Sequence, residues 1–177
     1  MTRNETTIMF DDRIDELLDE KEELAQTVAG MDTDNPAFTR ERQRGTEIEE
    51  ALQALRWARD EAADDTDTPS WDEDVDRITL AGLDGVEWAV TDDKRREDGA
   101  SGRVGLLYDV VAGTVEAPYH DPDAAEEQQF GAVGELPPVF LRWAARKIDG
   151  LSTVGNGDEK SFADLVAEKR AETQTES

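Results

Sequence analysis

His120 is the chain's sole histidine, and it stands in Tyr119-His120-Asp121-Pro122-Asp123. Any Ser-His-Asp triad or imidazole general base would have to use it. No nucleophile motif accompanies it, and Pro118 and Pro122 bracket it, so it reads as a surface turn residue. Asp72-Glu73-Asp74-Val75-Asp76 opens with the spacing of a calcium loop. Such a loop needs glycine at its sixth place and a bidentate carboxylate at its twelfth. Those places hold Arg77 and Leu83, so the run reads as solvated acid. Gly99-Ala100-Ser101-Gly102 and Gly155-Asn156-Gly157 lack both the spacing and the following lysine of a phosphate loop. There is no cysteine, hence no thiol nucleophile and no thiolate metal site. Carboxylates are too numerous for any pair to be singled out as an acid and a base. The residues therefore offer no catalytic, cofactor or metal site, and the expectation is a non-enzymatic protein.

The charge balance narrows the class further. The 177 residues carry 44 acids against 19 bases, a net charge of -25. Lysine occurs only at positions 21, 94, 147, 160 and 169. Abundant acid with little lysine resembles the proteins of salt-accumulating haloarchaea. In molar salt the Debye length falls to roughly 3 Å, so self-repulsion is screened. An acidic mesophilic protein with disordered tails is the other reading. The groups Arg40/Arg42/Arg44 and Arg142/Arg146 are small and surrounded by acid, which argues against direct nucleic-acid binding. The polar N-terminus does not resemble a signal peptide, and no apolar run approaches a membrane span. The expectation is a soluble cytoplasmic protein.

The apolar pattern is helical. Phe10, Ile14, Leu17, Lys21, Leu24, Val28 and Met31 form a seam with one polar member. Residues 1–9 read as a loose lead-in. A second helix follows Asn35-Pro36, with Asn35 as its cap and Phe38, Gly45, Ile48, Leu52, Leu55 and Ala62 on one seam. The short break between them predicts an antiparallel hairpin over 1–63. Asp19, Glu20, Glu22 and Glu23 should then face the second helix's arginines. Trp57 lies opposite the Leu52/Leu55 seam; it either docks on the rest of the chain or marks a partner surface.

Residues 64–76 read as an acidic linker, with Trp71 as an apolar exception that tethers it. Beyond it, 77–170 should form a compact helical domain with at most a small strand element. Arg77–Ala81 is β-prone. Leu83, Val86, Ala89 and Val90 fit one face of a helix capped by Asp84, running to Arg96 and ended by Gly99 and Gly102. Val104–Val115 is an apolar helix, and Asp123–Phe130 a short one. Asp158 should cap a last helix carrying Phe162, Leu165 and Val166, with 171–177 fraying.

The densest apolar segment is Leu136–Ser152. Leu136, Val139, Phe140, Trp143, Ala144, Ile148 and Leu151 recur at helical spacing. Pro137 and Pro138 suit the first turn, and Gly150 is placed to end the helix. Phe140, Trp143, Arg142, Arg146 and Trp57 are the candidate partner-binding residues, with core packing as the alternative for the Trp143 stripe. Lys147 falls near the middle of that stripe. It either snorkels outward or is a buried or partner-facing charge.

In order and texture, Arg77–Ser152 resembles phage tail assembly chaperones. The strand-like piece Arg77–Leu83 leads into a helix reaching Trp88 and beyond. An apolar helix runs into Val111-Ala-Gly-Thr-Val-Glu-Ala-Pro118, a short acidic helix follows, and the last helix ends Ile148-Asp-Gly-Leu-Ser152. The resemblance covers about half of the chain and does not extend to the N-terminal hairpin. It implies a non-enzymatic chaperone without catalytic residues. Such a protein binds an apolar helical client, the tape-measure protein, during tailed-virus morphogenesis in the host cytoplasm. The alternative is a structural virion component, such as a neck, tail or capsid accessory subunit, that uses the hairpin for assembly or homo-oligomerisation.

Overall fold

The computed structural model describes residues 3–59, 71–72, 74–100, 102–153 and 162–175, leaving aside the side chains of 103, 153, 162–165 and 174–175. It is mainly α-helical with a small antiparallel sheet. The elements are β1 (Glu5–Met9), α1 (Phe10–Ala29), α2 (Pro36–Ala58), β2 (Arg77–Ala81), α3 (Gly85–Glu97), α4 (Gly102–Gly113), β3 (Thr114–Glu116), α5 (Glu126–Gly134), α6 (Pro138–Thr153) and α7 (Phe162–Thr175).

The two helices of the hairpin form where their seams place them, and Ala62, the last member of the second seam, lies outside the described residues. Phe10, Ile14, Leu17 and Leu24 of α1 are buried, and Lys21 reaches Glu49 of α2 at 3.2 Å. Asn35 accepts a 2.9 Å bond from the Ala37 amide, and Pro36 occupies the first turn, where no donor is needed. The cross-hairpin charge pairing differs from expectation. Arg59 binds both carboxylate oxygens of Asp11, at 2.9 and 3.2 Å, while Arg44 stays near Glu41 of its own helix. The Asp19–Glu23 cluster mostly remains in solvent, where its charges are hydrated at little cost.

The lead-in is a strand rather than loose chain. β1 pairs antiparallel with β2, Glu5 opposite Ala81 and Met9 opposite Arg77. Phe10 N–H continues the ladder to the Asp76 carbonyl at 2.9 Å, so α1 starts where the sheet stops. β3 pairs on the other side of β2, with an irregularity between Thr79 and Leu80. The central strand buries Ile78 and Leu80 completely.

This pairing unites the two halves. Hydrophobic contacts run without a break from Ile8 through α1 and α2 to Ile148. The hairpin is therefore part of one core rather than a separate arm. Most of the expected linker lies outside the described residues. Trp71 does tether: it stacks on Phe10 and Tyr119 and meets Trp57 and Phe140 edge-on.

Two glycines set how closely elements approach. A Cβ at Gly113 would lie 2.5 Å from the Ile148 side chain, so α4 packs directly on α6. A Cβ at Gly82 would lie 2.5 Å from the Leu151 backbone, so the end of β2 abuts the last turn of α6.

Several boundaries differ from expectation. α6 does not stop at Gly150 but runs to Thr153, because tertiary partners take up its end groups. Ser152 Oγ accepts from the Leu83 amide at 2.8 Å, and Asn4 donates to the Leu151 carbonyl at 3.2 Å. α5 starts at Glu126, not Asp123, since the Asp121 carboxylate bonds the Asp123 amide at 3.0 Å and holds a turn there. α7 reaches Thr175, past the expected fraying point, whereas its expected cap, Asp158, lies outside the described residues.

Candidate protein-binding surface

His120 sits in a turn, its amide bonded to the Ala117 carbonyl at 3.0 Å. Among the described residues no group of three metal-ligating side chains converges.

The aromatic candidates are inside. Trp57 is 2% exposed, Phe140 0% and Trp143 8%. Phe140 lies at the centre of a ring cluster, with centroids 5.4 Å from Trp57, 5.3 Å from Trp143 and 6.1 Å from Tyr119. Aromatic pairs at these separations and tilts are favourable beyond the area they bury. Phe140, Trp143 and Trp57 therefore build the core, their rings packed on one another, with Trp143 keeping a small edge at the surface. For Trp57 the first alternative holds: it docks on the rest of the chain, against Phe140 of α6 and Trp71. Of the cationic candidates, Arg142 is exposed and Arg146 lies 3.3 Å from Glu50.

The exposed apolar surface lies elsewhere. Among the described residues, the large apolar side chains left in solvent are Leu18, Val86 (74% exposed), Trp88 (57%), Val90 (49%) and Val104 (53%). Three of these belong to α3. Its start is well made: Asp84 accepts from the Val86 and Glu87 amides at 2.9 and 2.8 Å, and Glu87 returns to the Asp84 amide at 3.1 Å. The helix expected to bury Val86, Ala89 and Val90 instead turns them outward and buries only Thr91. The anchors explain the rotation. Arg95 pairs with Asp109 of α4, and a Cβ at Gly105 would lie 3.5 Å from the Arg95 chain. Arg3 holds the start of α3 by an ion pair to Glu87 at 3.3 Å and bonds the Ala112 carbonyl at 2.7 Å. The apolar period was readable in the sequence, but these polar anchors were not. Burial raises the Asp109 carboxyl above the ordinary carboxylate range, and the Arg95 guanidinium offsets part of that rise.

A second surface feature joins α1, α2 and α6. A cleft of about 410 Å³ has Leu17, Ile48, Ala51 and Trp143 in its floor and Arg13, Arg44, Arg146 and Lys147 around it. Trp143, Lys147 and Arg13 also line a neighbouring cleft of about 380 Å³ beside β1. Lys147 is half-buried between the two, so the stripe position carries a charge that reaches solvent through them.

No family model, curated protein or solved structure matches this chain. No described helix is long and apolar enough to cross a membrane.

Proposed function

We propose that this chain is a non-enzymatic tail assembly chaperone of a haloarchaeal tailed virus or provirus, working in the host cytoplasm on an apolar helical client, the tape-measure protein. The observation that carries the reading is α3. It holds Val86, Trp88 and Val90 in solvent on a molecule of net charge -25. Val86 and Val90, four residues apart, share one face of α3 and Trp88 projects from another, so the helix offers apolar groups to a partner that wraps it rather than a single flat patch. Covering the Val86/Val90 face, or Trp88 on the other, stabilises a complex by about 1.5–3 kcal/mol per side chain at most, which suits reversible holding. Apolar contact also persists in molar salt, where long-range charge steering is screened.

The alternative reading is a structural virion subunit assembled through the hairpin; the packing of the hairpin favours it less. The apolar seam of α1 and α2 is spent within the chain's own core.

The test is co-purification in molar KCl with helical segments of the tape-measure protein, alongside a Trp88→Asp/Val90→Asp variant. Wild-type protein should retain the client, and the variant should lose it while keeping its circular dichroism. Equal capture by both, or stoichiometric recovery of the protein in purified particles, overturns the proposal.

A further inference from the structure

In a chain with 44 acids and 19 bases, cations should seldom meet without acid between them. Among the described residues that line the α1/α2/α6 cleft, four cations meet two acids, Glu20 and Glu47. Two of the four are engaged: Arg13 by Glu16 and Glu20 at 2.9 and 3.3 Å, Arg146 by Glu50 at 3.3 Å. Arg44 has only Glu41, at 3.9 Å, and Lys147 has no ion-pair partner among the described residues. The cleft thus presents two under-neutralised cations from facing helices, above an apolar floor of buried Leu17, Ile48 and Ala51 beside Trp143.

This combination selects a ligand. A large apolar side chain seated on the floor would displace water from around Lys147. Contact pairs formed there are screened by salt much less than exposed ones. Carboxylates flanking that side chain would meet Lys147 on α6 and Arg44 on α2. In dilute buffer the rest of the molecule, rich in acid, repels such a segment; in molar salt that repulsion is screened and the contact pairs in the cleft carry the selectivity. We infer that the cleft docks a segment of a partner polypeptide in which a large apolar residue is flanked by Asp or Glu. This site is separate from the α3 surface and does not depend on the function proposed above.

The experiment uses the full chain and a fluorescein-labelled, end-blocked peptide, Gly-Glu-Glu-Leu-Leu-Glu-Glu-Gly, with a lysine-for-glutamate counterpart. Binding is read by anisotropy at low and at molar KCl. The glutamate peptide should bind and the lysine peptide should not. Arg44→Glu with Lys147→Glu should weaken binding ~10-fold or more, as expected for contact charge pairs. Lys147→Gln, which introduces no repulsion, should weaken it less but in the same direction. The exposed Arg96→Glu should leave binding unchanged, as should Trp88→Asp, which separates this site from the α3 surface. Equal binding of both peptides, or no loss in either Lys147 variant, overturns the inference. Displacement of the peptide by decanoate or sulfate at matched concentration gives the cleft to a free amphiphile or a simple anion and overturns it too. A dimer that disappears in the charge-reversed variant assigns the cleft to a second copy, with the same consequence.

Discussion

The Trp71 indole meets the Phe140 ring edge-on, with centroids 5.1 Å apart and planes at 82°. Phe140 belongs to α6, and Trp71 precedes β2 in an acidic stretch with little else to bury. Their contact fastens the connection between the hairpin and the sheet onto the middle of the core.

Trp71→Ala should therefore destabilise the whole molecule, not only its connection. The expected loss is about 3 kcal/mol, as for a large aromatic removed from a packed site, and Trp71→Phe should recover much of it. Urea unfolding at fixed KCl measures both. A loss under about 0.5 kcal/mol, the range of ordinary surface changes, would show that the cluster closes without this ring.

Gly113 and Gly131 should respond to alanine with opposite signs. At Gly113 the added methyl meets Ile148, so overpacking should cost about 1–3 kcal/mol. At Gly131, inside α5, nothing lies within 4 Å, and the gain in helix propensity should stabilise by about 0.5–1 kcal/mol. Paired melting curves distinguish the two.

Tyr119 should make the protein sensitive to alkali. Its hydroxyl is buried, bonded to Thr114 Oγ1 at 2.9 Å, and burial raises its pKa above the ordinary 10.0. Stability from keeping this phenol protonated is full below pH 10.0 and is lost as pH rises above it, because the unfolded state ionises first. Tyr119→Phe should cost about 0.5–1.5 kcal/mol at neutral pH and show a shallower alkaline decline. Equal slopes for the two proteins above that pH would refute the assignment.

Asp109 works in the acid range. Burial raises its carboxyl, so the folded state holds the proton more tightly than the unfolded chain. Stability should then fall as pH rises from the ordinary carboxylate value through the raised one. Asp109→Asn removes this contribution, and its stability should decline less over the same window. Denaturant titrations across that range read the difference in slope.

Salt should stabilise the fold. With a net charge of -25, self-repulsion is strongest in dilute buffer, and the Debye length shortens from about 10 Å at 0.1 M to about 3 Å at 1 M. The melting temperature should climb steadily from low to molar KCl; a flat profile would mean the charges are already compensated by local pairing.

Much of the architecture was legible from local rules. The α1 seam, the α2 seam as far as Leu55 and the Asn35 and Asp84 caps each depend on residues close in sequence, and each stands where the pattern put it. The failures share a cause. β1 carries only the short β-branched run Thr6-Thr7-Ile8, too little to stand alone, because a five-residue strand exists only through its partner 72 residues away at Thr7–Thr79. Gly150 could end a helix, but Leu83 and Asn4 supply the distant partners that let α6 continue.

The candidate surfaces divide along the same line. The sequence by itself determined that the chain is acidic, mainly helical and supplied with greasy helical faces, because composition and period are properties of neighbours. Which faces close on each other was decided only in three dimensions. Phe140, Trp143 and Trp57 meet one another inside, whereas Arg95 and Arg3 anchor α3 so that Val86 and Val90 stay in water. A helical period says how wide an apolar stripe is. It cannot say which way the stripe points once polar side chains fasten the helix from another side.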